Sequence, residues 1–210
     1  MAYDGFAVAA TVKELNDRLL NGSISKVAQP EKDELLLSIK NQRKIQRLQI
    51  SADPSLPLLR FRDENEQSLS AAPSFCMSLR KHIGGGRIVR IYQPGHDLEH
   101  PGLERIVVFE IEHLDELGDL SRKRLVCELM GKYSNIILVK EDGTIVDSIK
   151  HVGMLTSSVR EVLPGREYFI PDQSHKADPL SLLSEGREAF KEKLLSSNDR
   201  LYRAVYMDMT

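Results

Sequence analysis

The sequence is poor in cysteine and has no long apolar run, and each shortage removes a class of protein. Its two cysteines, Cys76 and Cys127, stand far apart with no CxxC companion. That favours buried thiols over a disulfide or a zinc site. No stretch approaches the ~18 apolar residues of a membrane span. No basic segment precedes the apolar one in Met1-Ala-Tyr-Asp-Gly-Phe6, so no signal peptide is expected, and the cytoplasm is the expected compartment. The histidines at 82, 96, 100, 113, 151 and 175 form no HExxH or HxH, and no serine sits in GxSxG. A zinc hydrolase and a nucleophile elbow therefore lack support. His96, His100 and His113, set among acids, could take up a metal adventitiously, but a solvated loop explains them more simply. No cofactor and no metal is implied.

What is present is ordinary soluble composition. With 41% hydrophobic and 29% charged residues in 210, the chain can bury a good core plus an appendage, and disorder over most of its length is excluded. The net charge of −2 predicts no indiscriminate polyanion binding. The charge is unevenly spread, however. From 67 to 96 there is no acid, while Arg80, Lys81, Arg87 and Arg90 supply cations; from 97 to 119 eight acids face a single base, Arg105.

A phrase of nine residues occurs twice, as Gly22-Ser-Ile-Ser-Lys-Val-Ala-Gln-Pro30 and as Gly86-Arg-Ile-Val-Arg-Ile-Tyr-Gln-Pro94. In each, glycine can end a helix, apolar and polar residues alternate as in a half-buried strand, and proline closes the strand. The repetition argues for an internally duplicated α+β fold of helix-then-antiparallel-strand units. The spacing of Val8, Val12, Leu15 and Leu19 predicts a first helix over 7–21, and Phe75, Leu79 and Ile83 a second over 73–83. Strands are expected at 34–40, 44–50, 58–62, 88–92, 104–113, 123–130, 135–140 and 144–149, with Glu141-Asp142-Gly143 as a hairpin turn needing positive φ. Residues 63–70 read as a surface connection, 94–102 as a Pro-Gly and His-rich loop, and 172–179 as a polar linker. Residues 180–210 read as helical, with Phe190, Leu194, Leu195, Leu201, Val205 and Met209 as apolar contacts. The expected division is a domain over 1–172, then a linker and the start of a helical region over 173–210 that belongs to a longer protein.

Three segments could carry function. Gly84-Gly85-Gly86, between Arg80-Lys81-His82 and Arg87, could bring backbone close to a phosphate, or could simply be a helix cap with cations complementing the dipole. It is not a P-loop, because it follows a helix and lacks Gly-Lys-Ser/Thr. Glu104-Arg105 could be a fork for RNA oriented by its acid, or a surface ion pair of little consequence. Gly131-Lys132-Tyr133-Ser134-Asn135 offers a cation, a ring that can stack on a base, and two hydrogen-bonding side chains, or is a plain hairpin turn.

Taken together, Asp4-Gly5, Lys26 with Gln29-Pro30, Phe75-Cys-Met-x-Leu-Arg-Lys-His-Ile83, Gly102-Leu-Glu-Arg105, Glu128-Leu-Met-Gly131, Ser134-Asn-Ile-Ile-Leu138, Lys150-His151, and Leu163-Pro-Gly165 with Tyr168 carry a resemblance. Over nearly its whole length the chain resembles the N-terminal domain of the NFACT family of bacterial RqcH proteins, also called fibronectin-binding protein A homologues. The resemblance implies a β-sandwich with helices, like the formamidopyrimidine-DNA glycosylase N-terminal domain, followed by a helix-hairpin-helix region. It also implies a role in ribosome-associated quality control: binding the large ribosomal subunit that still carries peptidyl-tRNA, and recruiting alanyl-tRNA for alanine tailing. The family's Asp-Arg pair for tRNA falls on Glu104-Arg105, whose acid is longer by one methylene. Arg80, Lys81, His82, Arg87, Lys132, Tyr133, Ser134 and Asn135 are further candidates for RNA contact. Two other readings stand beside this one. The older family name implies a fibronectin-binding adhesin. Fold analogy implies a DNA glycosylase, but that family's N-terminal Pro-Glu and downstream zinc finger are replaced by Ala2-Tyr3-Asp4 and no CxxC, so no enzyme is expected.

Overall fold

The computed structural model describes residues 3–63, 72–95, 103–115, 117–157, 160–170, 178–196, 200 and 203. The chain begins with α1 (Gly5–Leu19), which starts earlier than the apolar spacing suggests. The reason is Asp4, whose Oδ1 accepts from the Ala7 amide at 2.8 Å and caps the helix. Four strands follow: β1 (Ser23–Glu31), β2 (Glu34–Asn41), β3 (Lys44–Ser51) and β4 (Leu58–Arg62). The order then recurs with α2 (Ser74–Ile83), β5 (Arg87–Tyr92), β6 (Ile106–Leu114), β7 (Leu120–Glu128), β8 (Asn135–Lys140) and β9 (Ile145–Ser148). Two short helices, α3 (Pro179–Glu185) and α4 (Arg187–Ser196), come last. The helical stretch expected from residue 180 onward is broken at Gly186, whose φ is 126°. α4 buries no residue, so Phe190, Leu194 and Leu195 do not form core there. Leu201, Val205, Met209 and most of the expected connection, histidine-rich loop and linker lie outside the described residues.

All nine strands hydrogen-bond as one antiparallel sheet in the order β4-β3-β2-β1-β5-β6-β7-β8-β9. Strand β1 runs one residue past Pro30, with a register irregularity just before its end. On β6 successive side chains point to opposite faces. Val107, Phe109 and Ile111 join the main core with α1 and α2, while Ile106 and Val108 join a smaller cluster with Val126, Ile137, Ile145 and Val162. That two-sided burial explains why β6 and β8 read as near-continuous apolar runs rather than alternating ones.

The β1–β5 seam has a reciprocal pattern. Ile24 N donates to Gly86 O and Ile88 N to Gly22 O, both at 2.9 Å. Asn21 N donates to Ile88 O at 2.9 Å and Gly85 N to Ile24 O at 2.8 Å. Asn21 and Gly85 both take positive φ, 66° and 77°, to end their helices. The helices cross this seam: α1 packs chiefly on β5 and α2 on β1. Asn16 Nδ2 donates to Ile91 O and Arg80 Nε to Val27 O, each at 2.9 Å.

Beside the seam, close packing of the α2–β5 turn on β6 leaves no room for a side chain on Gly86. A Cβ on Gly86 would lie 2.7 Å from Ile111 Cγ2 and 3.0 Å from the carbonyl oxygens of Glu112 and Ile83. Gly86→Ala is therefore expected to cost about 1–3 kcal/mol through overpacking, measured by urea unfolding. Gly153→Ala, where a Cβ meets nothing within 4 Å, is expected to change stability by less than about 0.5 kcal/mol.

Candidate nucleic-acid interface

The sheet separates the candidate residues between its two ends. At one end β5 finishes and β6 begins. Glu104 and Arg105 lie just ahead of β6 rather than within it. Glu104 is buried, at 4% exposure, and Arg105 is half-buried. Gln93 fixes this turn by donating Nε2 to Glu104 O at 2.8 Å and to Gly5 O at 2.9 Å, so the start of α1 is tied to the same place. The repeated Gln-Pro thus ends in a buried clamp, a role that the duplicated phrase signals only as a strand end.

Arg105 O also accepts the Leu129 amide at 2.8 Å. This bond brings the 131–135 segment to the same edge. Gly131–Tyr133 forms a 3-10 turn in which Lys132 and Tyr133 are exposed, the Lys132 ammonium lying 4.8 Å from the Tyr133 ring centroid. Ser134 and Asn135, expected to be exposed, are instead buried at 1% and 3%. The turn closes at Tyr133 and Asn135 opens β8, where its Oδ1 accepts from Lys150 N and its Nδ2 donates to Lys150 O. Asn135 therefore holds backbone rather than facing solvent.

Behind this edge stands a buried charge. Glu128, 1% exposed, accepts from the Arg160 guanidinium and, at 3.0 Å, from the Tyr168 hydroxyl. Arg160 Nη1 reaches Phe169 O at 2.7 Å. Burial, with the Glu128 carboxylate beside it, pushes the Tyr168 hydroxyl well above its ordinary pKa, so it stays a donor. The motif positions Glu128 and Tyr168 thus fasten the 160–170 segment to the sheet.

The other end of the sheet, roughly 20 Å away along β5 at ~3.3 Å per residue, carries Arg80, Lys81, His82 and Arg87. Here the triple glycine is closed to ligands: the amides of Gly84, Gly85 and Gly86 donate to the carbonyls of Arg80, Ile24 and Ile83. It is the helix cap, and a phosphate finds no amide there. The basic and acidic blocks of the sequence turn out to face each other across β5 and β6. Arg87 pairs with Glu112 at 3.0 Å and Arg90 with Glu110 at 3.4 Å, as the register dictates. Arg122 adds a second bond to Glu112 at 2.8 Å, and these two guanidiniums, Arg122 above all, hold the Glu112 carboxyl below the usual carboxylate range. Both cysteines are fully buried free thiols, and burial raises the pKa of each. Among the described residues no group of three metal-ligating side chains converges. None of their helices is long and apolar enough to cross a membrane.

Fold and edges together define an α+β domain with one antiparallel sheet, two seam-crossing helices, and cations and a ring displayed at the sheet ends. Residues 4–210 match the family of NFACT N-terminal and middle domains, and the chain belongs to that family. It is 38% identical over 181 residues to the Rqc2 homolog RqcH of Bacillus subtilis strain 168, covering 86% of this chain and 30% of that protein. It is 26% identical over 194 residues to the archaeal Rqc2 homolog aRqcH of Methanocaldococcus jannaschii, covering 90% of this chain and 26% of that one. The chain thus spans less than a third of the length of these relatives. In structure it is similar to the N-terminal domain of fibronectin-binding protein PavA from Streptococcus pneumoniae, with a TM-score of 0.86 and 31% identity over 100% of this chain and 74% of that one.

The buried pair gives a direct test of how this edge is held. Arg160→Ala would strand the Glu128 carboxylate in the interior and is expected to cost about 3–5 kcal/mol, read by urea unfolding, with Glu128→Gln/Arg160→Met recovering part of that loss.

Proposed function

We propose that this domain binds tRNA within a ribosome-associated quality control factor that engages stalled large ribosomal subunits carrying peptidyl-tRNA. On this reading it recruits alanyl-tRNA so that an alanine tail is added to the nascent chain. Membership of the NFACT family and the RqcH relatives support the setting. The observation that supports the contact is the bond from Leu129 N to Arg105 O, which sets the turn of Arg105 beside the turn that exposes the Lys132 ammonium and the Tyr133 ring. Such a set suits recognition of a folded RNA by local contacts: phosphate attraction from the cations, base stacking on the ring. The Glu104 and Arg105 positions are set by Gln93, so the cation is presented from a fixed turn.

No covalent step is assigned to the domain. Peptide transfer would belong to the ribosome, and the contribution here is placement of tRNA in the cytoplasm. We further read the two helix-then-strands halves as an internal duplication of the glycosylase N-terminal type, supported by the reciprocal seam bonds. Residues 173–210 are read as the start of the family's helical region.

A second reading is adhesion. The Streptococcus pneumoniae and Streptococcus suis proteins of similar structure are named for fibronectin or fibrinogen binding. Immobilised fibronectin exposed to the folded domain separates the two, and saturable binding that Arg105→Ala leaves unchanged would favour adhesion.

Arg105→Ala is expected to weaken tRNA binding by about 1–3 kcal/mol, and to lower the slope of log affinity against log salt by about one unit. Fluorescence anisotropy with labelled tRNA at several salt concentrations reads both. An unchanged affinity in a folded variant would remove the site.

A further inference from the structure

At the end of the sheet away from Arg105, a cleft of about 720 Å³ opens between the last turn of α2, the tip of the β6–β7 hairpin and the β8–β9 turn. We propose that this cleft is a second RNA contact, a site for a backbone phosphodiester built on Lys123 and Lys140. It goes beyond the reading above, since it uses different residues at the opposite end of the sheet.

Lys123 forms its floor and is unusual for a lysine, being only 8% exposed. Its ammonium has three donors, and the hydrogen bond it makes goes to the Ser121 hydroxyl at 2.8 Å. Directly opposite on β8 stands Lys140, so the register holds two cations side by side on one face. Like charges in that arrangement are destabilising unless an anion lies between them. Burial and Lys140 both oppose the charge on Lys123, with Asp115 opposing them. The Lys140 ammonium makes no hydrogen bond or ion pair among the described residues. His113 adds a buried Nδ1 with no hydrogen-bond partner.

The acids of the cleft make no direct ion pair with either lysine, although Asp115 favours the charge on Lys123 and Lys140 that on Asp142 through space. Asp115 Oδ1 accepts the amides of Leu117 and Asp119, at 2.9 and 3.0 Å, and Asp142 Oδ1 accepts that of Thr144 at 2.9 Å. Each carboxylate is thereby held to its own turn, and neither forms an ion pair with Lys123 or Lys140. Glu141, at the rim, likewise forms none with them. Arg122, the guanidinium of the cleft, is already taken by Glu112. Lys123 and Lys140, on paired strands, suit a phosphate as point charges. The leucines of the hairpin tip, 114, 117 and 120, are 60%, 88% and 67% exposed and offer an apolar flank to a ribose or base.

The test is anisotropy of a fluorescein-labelled single-stranded oligoribonucleotide with the chain and with Lys123→Gln/Lys140→Gln. Binding is expected to weaken about 10-fold at low salt, with the salt slope falling by about 0.7 for each phosphate no longer neutralised. Lys140→Gln alone, at an exposed position where stability is expected to change by less than about 0.5 kcal/mol, is expected to weaken binding less and in the same direction. Arg105→Ala should leave the Lys123 and Lys140 contribution intact, so failure at one edge is distinguishable from failure at the other. Unchanged RNA affinity in both lysine variants would overturn the proposal. So would inorganic phosphate saturating the cleft while RNA binding ignores the substitutions.

Discussion

Everything in this fold hangs on the β1–β5 seam, where two helix-then-strands halves meet through four main-chain hydrogen bonds given in reciprocal pairs. At roughly 0.5–1.5 kcal/mol net for each bond, the seam bonds alone are a modest attachment. The larger contribution comes from the helices, because each lies over the other half's first strand. Burial of Leu15, Leu19, Leu79 and Ile83, at about 1.5–3 kcal/mol per side chain, stabilises the joint more than the ladder does. Each seam strand is also preceded by a glycine that packs on the next strand of its own half: a Cβ on Gly22 would lie 2.6 Å from Ile39 Cγ2 on β2, and one on Gly86 2.7 Å from Ile111 Cγ2 on β6. The seam sets the placement of β5, and so of the two ends at which side chains are offered to a ligand.

Electrostatics follow from the same placement. Because β5 carries the basic block and β6 the acidic one, their antiparallel register cancels charge along the sheet surface and leaves no broad cationic face among the described residues. On the proposed reading, RNA binding by a nearly neutral domain would come from a few placed groups: Arg105 with Lys132 and Tyr133 at one end, Lys123 with Lys140 at the other. Local contacts of this kind select shape more than charge density.

Much of this is legible in the residues. The repeated Gly-to-Gln-Pro phrase marks both seam strands, and the apolar spacing places α2 and most strands within a residue or two. The buried cysteines follow from their isolation. Other features need three dimensions. The start of α1 depends on a cap from Asp4, which periodicity does not weigh. That Arg87 is neutralised by Glu112 is a matter of register between segments far apart in sequence. Ser134 reads as a loop residue and Asn135 as a hydrogen-bonding side chain opening a strand, yet Asn135 is buried where its amide bridges to the Lys150 backbone. Lys123 carries no signal as one cation among several in Ser-Arg-Lys-Arg; only its neighbour on β8 gives it meaning.

The central claim is that RNA lies across the edge shared by the Glu104-Arg105 turn and the Lys132-Tyr133 turn. Ultraviolet crosslinking of tRNA to the folded chain, with mass-spectrometric mapping of the joined peptides, tests it most directly. Crosslinks are expected within 103–105 and at Tyr133. Crosslinks confined to the β2–β3 hairpin, with neither turn labelled, would contradict it.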